Sequence, residues 1–120
     1  FVEDNGVDMK MQEFVNPLGD IAVKVEKLTM EIGMKAMTNQ DEVGAASVPY
    51  QRVVGHMVFA YFWARMAKVA LEKESTDDFY KAKLATARFY FAKLLPETAG
   101  YIRQARAGNA TLAEMQEDWF

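Results

Sequence analysis

Apolar side chains fall at Leu18, Ile21, Val25, Leu28 and Ile32, at spacings of 3, 4, 3 and 4. That period puts them on one stripe of an amphipathic helix, with Lys24, Lys27 and Glu31 on the other side. Asn16 and Pro17 supply a start signal: a capping side chain, then Pro at the first helical position, where its missing N–H costs nothing. Thr38, Asn39, Gln40 and Asp41 form a break, so the pattern predicts a first long helix over 17–37. Ahead of it, residues 1–14 have no clean period, and Glu3, Asp4, Asn5, Gly6 and Asp8 are polar or flexible. Val7, Met11 and Phe14 allow one short helical turn there. Residues 1–15 are therefore assigned to a linker or lead-in, and 16–120 to the folded domain.

The stretch SVPYQRVVGHMVFAYFWARMAKVAL, residues 47–71, has a different pattern. Between Val53 and Ala64 the only strongly polar side chain is His56. A helix that is apolar all round is buried on nearly all sides. One face carries Tyr50, Val54, Met57, Tyr61 and Arg65; a second carries Phe59, Phe62, Trp63 and Met66. The run is too short to span a bilayer, with Arg52 before it and Arg65 and Lys68 after. A chain with so few other helices cannot cover both faces, so part of this helix is expected to be covered from outside. Pro49 leaves two starts open: Asp41, with Pro49 as a kink, or Pro49 itself.

Asp77 and Asp78 suit the positive end of a third helix, whose apolar set is Phe79, Tyr80, Leu84, Ala87, Phe91 and Leu94. Pro96 interrupts it, yet the pattern resumes through Tyr101, Ile102 and Ala105. One kinked helix and two helices meeting at Leu95 and Pro96 fit equally. Gly108 and Asn109 are a stop. Thr111 and Glu114 then have the capping-box spacing of a last short helix ending near Trp119. The sum is an all-α fold, an antiparallel helical bundle of three to four long helices plus a short C-terminal helix.

Composition narrows the function classes. One hundred and twenty residues make one domain with one core. A net charge of -3 gives no electrostatic case for nucleic acid or an anionic membrane. The absence of Cys excludes a disulfide framework and thiol chemistry and fits a reducing, cytoplasmic setting. The acidic, polar first ten residues lack a signal-peptide pattern, and a start at Phe1 rather than Met is expected of a piece of something longer. Eight Met, with eight Phe, five Tyr and two Trp, provide large, adaptable packing surfaces.

Little of this is catalytic. A phosphoacceptor role for His56 needs its imidazole in solvent, whereas Met57, Val58 and Phe59 follow it; a core or interface His making one hydrogen bond is the preferred reading. A di-metal bundle needs Glu-x-x-His pairs, and none is present. Arg52, Arg65, Lys81, Lys83 and Arg88 could face an anionic ligand, but salt bridges to Glu72, Glu74, Asp77 and Asp78 on a solvated face explain them more simply. The five Tyr read as core rings with hydroxyls at the rim. No catalytic, cofactor-binding or metal residue is assigned. The candidate interface residues are Phe59, Phe62, Trp63 and Met66, with Trp119 and Phe120 as a docking latch.

Three stretches together carry a resemblance: residues 44–71, FYKAKLATARFYFAKLLPETAGYIRQARAG at 79–108, and the closing EDWF at 117–120. Their most specific part is K-x-A-T-A-R-F-Y-F followed by L-L-P-E-T, from Lys83 to Thr98. This resembles the extra helical domain at the C-terminal end of one branch of the acyl-CoA dehydrogenases, a branch that includes enzymes acting on methylmercaptopropionyl-CoA. The resemblance implies an oxidoreductase parent in which FAD takes a hydride from the β-carbon of an acyl-CoA while a Glu removes the α-proton. Electrons would pass to an electron-transfer flavoprotein. The domains that hold FAD and substrate are not among these residues, and no catalytic residue carries over. The resemblance implies a domain packed on the remainder of the parent dehydrogenase or across subunits of a homo-oligomer. Two other classes remain: a stand-alone, self-associating helical interaction module, and a phosphotransfer domain acting through His56.

Overall fold

The computed structural model describes residues 1–120 as helices and turns with no strand. α1 is one turn, Val2–Asn5; α2 spans Gln12–Thr38, α3 Asp41–Lys73, α4 Asp78–Phe89 and α5 Thr98–Arg106; α6 is one turn, Ala110–Ala113. A π-helical turn, Tyr90–Leu94, and a 3-10 turn, Leu95–Glu97, join α4 to α5 without a loop. Three long rods result, packed as a bundle with principal extents of 66 × 30 × 14 Å. Arg88 on α4 bonds Glu13 near the start of α2, and Arg106 on α5 bonds Glu31 further along it. The first and third rods therefore run the same way, and α3 runs against both.

The first rod begins earlier than the pattern predicts. Pro17 lies inside α2, whose first residue is Gln12. Pro inside a helix removes one hydrogen bond and costs about 3 kcal/mol or more. The extra turn buries Met11, Phe14 and Val15, none more than 1% exposed. Burying side chains of this size is worth about 1.5–3 kcal/mol each, so burial outweighs the proline. The lead-in residues also touch the bundle. Asn5 is buried, donating its side-chain amide to the Phe1 carbonyl at 2.7 Å, and the Phe1 ring meets Tyr61 edge-on at 5.7 Å.

Of the two starts open for the second rod, the structure takes Asp41, with Pro49 inside a continuous α3. α4 starts where the acidic pair predicts: Asp77 caps it, accepting the Phe79 N–H at 2.9 Å. Pro96 neither separates two helices with a loop nor sits in a regular α-helix. Its ring would collide with the carbonyl four residues back in an α-helix. The π-turn avoids this by one wide step in which the Leu95 N–H bonds the Tyr90 carbonyl.

The last short helix departs from expectation. α6 is a single turn that starts at Ala110, its N-cap is Asn109, and no side chain caps it, so the capping box does not form. A 3-10 turn, Glu117–Trp119, follows separately. So short a helix is marginal without a packed face, and residues 110–120 are all exposed. The stop before it does hold. Gly108 adopts φ +78, and a Cβ there would lie 3.0 Å from the Glu42 carboxylate. The adjacent Asn109 N–H donates to that carboxylate at 3.1 Å, tying the end of the third rod to the start of α3.

Candidate interaction surface

α3 is built inside out. Its buried positions are Ala46, Val53, Ala60, Ala64, Ala67 and Ala70. Four of them, 46, 53, 60 and 67, recur every seven residues and make a stripe of small side chains against which the neighbouring rods close. At 100° per residue the opposite stripe is Gly55, Phe59, Phe62, Met66 and Val69. Phe59 is 58% exposed, Phe62 50%, Val69 46% and Met66 39%. Together they form a contiguous exposed apolar stripe, the kind of surface that makes a candidate interaction site.

Phe59, Phe62 and Met66 thus share one face. Trp63 does not: it lies round the helix, half-buried, with its ring stacked on Tyr90 at 6.4 Å. Trp119 and Phe120 are exposed on the tail and latch onto nothing in this chain. The sequence reading missed Val69 and Phe79, which continue the patch. The seven-residue spacing of 55, 62 and 69 was the available signal.

Where α3 meets α4 the patch deepens into a groove of about 510 Å³, lined by Phe62, Met66, Val69 and Phe79, with Arg65 and Lys83 at its rim. The Arg65 guanidinium lies 5.6 Å over the Tyr61 ring and the Lys83 ammonium 5.3 Å over Phe79. Neither cation is ion-paired. The bundle's ion pairs are Lys81–Asp78, Arg88–Glu13 and Arg106–Glu31, together with His56 against Glu97 when the ring is protonated. Salt bridging to the residue 72–78 acids therefore accounts for Lys81 alone among the five cations singled out above. The Glu13 hydrogen bond pushes the Arg88 pKa up, and the Arg106 hydrogen bond holds the Glu31 carboxyl below its ordinary value.

His56 sits beside this face in a polar cluster built by the π-turn. Its Nδ1 is 2.9 Å from the Tyr90 hydroxyl and its Nε2 is 3.2 Å from a Glu97 oxygen. The Tyr90 hydroxyl also reaches the His56 carbonyl at 3.0 Å. The Tyr101 ring stacks on the imidazole at 6.2 Å and carries the Arg52 guanidinium 5.4 Å above it. His56 thus has two side-chain partners rather than the one expected, and neither nitrogen is free to take a phosphoryl group. Tyr90 opens this π-turn, and its hydroxyl bridges to α3 through His56.

Burial, then the Glu97 charge, push the Tyr90 hydroxyl up from 10.0 to about 12. The folded state holds this proton more tightly than the unfolded chain does. The resulting stability is complete below pH 10.0 and is lost as pH rises toward about 12. Wild type should lose on the order of 2 kcal/mol more than Tyr90→Phe across that window. Urea melts of both proteins at the two ends of the window check it.

Every buried side-chain nitrogen and oxygen already has a partner, so no orphaned buried polar atom marks a place for a flavin. No group of three or more His, Cys, Asp or Glu side chains converges on a point. No helix is long and apolar enough to cross a membrane.

A sequence model of the family described as acetyl-CoA dehydrogenase C-terminal like matches residues 1–116. No curated protein matches the chain. The chain belongs to the acetyl-CoA dehydrogenase C-terminal-like family.

Proposed function

We propose, from the chain's place in that family, that it is the non-catalytic C-terminal helical domain of a larger FAD-dependent acyl-CoA dehydrogenase. The branch is the one that includes methylmercaptopropionyl-CoA dehydrogenase-like enzymes, and the setting is cytoplasmic. The parent oxidises an acyl-CoA to the 2-enoyl-CoA and passes electrons to an electron-transfer flavoprotein. The flavin site lies in the remainder of the parent dehydrogenase, as the family resemblance implies. The family match carries the dehydrogenase reading, and the inside-out α3, with Phe59 and Phe62 at least half exposed over an alanine interior, supports the packing role. A domain that keeps its small residues inside and its large ones outside is made to be packed upon. Its work is to seat that face on the main body or on a neighbouring subunit of a homo-oligomer.

The test is to purify the protein that carries this sequence from its native cells. A polypeptide several times heavier than 13.6 kDa, with flavin absorbance that bleaches when acyl-CoA is added, is expected. A flavin-free polypeptide of 13.6 kDa overturns the reading and leaves the self-associating interaction module in its place.

A further inference from the structure

We propose that the groove between α3 and α4 receives the tail of a second copy of this chain, residues 117–120, with the two α3 helices laid antiparallel on their outer faces. The inference rests on the reading that the outer face of α3 is covered, and it names what covers it.

The groove and the tail are complementary. The groove has an apolar floor, Phe62, Met66, Val69 and Phe79, and two unpaired cations, Arg65 and Lys83. The tail presents the reverse: Glu117 and Asp118 followed by Trp119 and Phe120. Residues 107–120 contain no Lys or Arg. Trp119 is 63% exposed and Phe120 95%. Beyond residue 110 the backbone hydrogen bonds stay within the tail, so the bundle of its own chain does not hold it. An aromatic pair entering the groove buries its rings against the floor and brings two carboxylates to the two cations.

Geometry separates the second copy from the first. The tail is rooted at the start of α3, where Asn109 bonds Glu42. The groove lies 24 residues further along α3, at Met66, which at 1.5 Å per residue is about 36 Å away. A fully extended chain from Asn109 to Phe120 spans about 36–40 Å at most, and the observed tail is shortened by α6 and the 3-10 turn. The chain's own groove is out of its reach as folded. A second copy running antiparallel puts its α3 start, and so its tail root, beside the α3 end of the first. The arrangement is two-fold and closed, each tail filling the other's groove. Gly55 lies on the facing stripe, and a Cβ there would meet nothing within 4 Å in this chain, which leaves room for the second backbone.

The test uses the whole native protein with a photo-reactive phenylalanine analogue replacing Trp119, assembled from a mixture of isotope-light and isotope-heavy chains. The expected product joins position 119 to the peptides that contain Phe62, Met66 or Phe79, in mixed light–heavy pairs. Lys83→Glu should lower its yield about tenfold, as for a close interfacial charge pair, and adding Asp118→Lys should restore it. Crosslinks confined to one chain, or absent from the groove, overturn the proposal. Crosslinks to another domain of the parent also overturn it, yet leave the covered-face reading standing. A groove crosslink insensitive to the charge reversal removes the ionic part and contradicts the proposal as stated.

Discussion

Replacing Phe59 and Phe62 together by Asp should release the domain from the proposed neighbouring subunit and leave its three rods folded. Both side chains are half exposed or more in the bundle, so the bundle does not depend on them for its core. A surface substitution away from core features changes stability by about 0.5 kcal/mol or less. The same change on a covered face buries unpaired carboxylates, at about 3–5 kcal/mol for one that finds no partner. That is two decades or more in an association constant. Sedimentation velocity should show a smaller particle, and far-ultraviolet circular dichroism should show unchanged helix. Lost helix would mean that the outer stripe is core after all.

Phe14→Ala has the opposite signature. Phe14 is 0% exposed, and its ring meets Phe91 at 5.6 Å, joining the start of α2 to the π-turn. Truncating a buried Phe costs about 3–5 kcal/mol. That is a large part of the about 5–15 kcal/mol that holds a domain together. The variant should unfold at a much lower urea concentration and lose helix cooperatively. Phe91 alone cannot fill the cavity, because it is already engaged edge-on with Tyr90 at 5.8 Å. The result also bears on the lead-in. A small effect would mean that the turn from Gln12 to Pro17 is loosely attached, closer to the lead-in expected over residues 1–15.

The long helices were legible because periodicity is a local signal. Leu18, Ile21, Val25 and Leu28, picked by spacing, are all buried, and Ile32 is half-buried at the end of the stripe. Boundaries depend on tertiary burial, which spacing does not contain. Pro17 read as a start because the value of burying Phe14 and Val15 appears only once Phe91 is placed beside them. The turn after Phe89 was visible as a disturbance at Pro96, but whether the helix would kink, break or widen is a matter of backbone register. α3 was legible as a helix with no polar face, and that same uniformity hid which side was in. Side-chain size held the answer: alanines at 46, 60, 64 and 67 face inward, and phenylalanines at 59 and 62 face outward. Trp63 was grouped with Phe59, Phe62 and Met66 because 59, 62, 63 and 66 have the i, i+3, i+4, i+7 spacing of one helix face, yet it lies at the edge of that face, 100° from Phe62, and is half-buried. Glu13–Arg88 and Glu31–Arg106 each join residues 75 apart, beyond any local pattern.

Hydroxyl-radical footprinting of the native protein, read by mass spectrometry at Phe59, Phe62 and Met66, is the most direct measurement. If the outer face of α3 is covered, these residues label as slowly as the buried Met11, despite exposures of 58%, 50% and 39% in the bundle. If all three label in proportion to those exposures, well ahead of Met11, nothing covers the face and the account is contradicted.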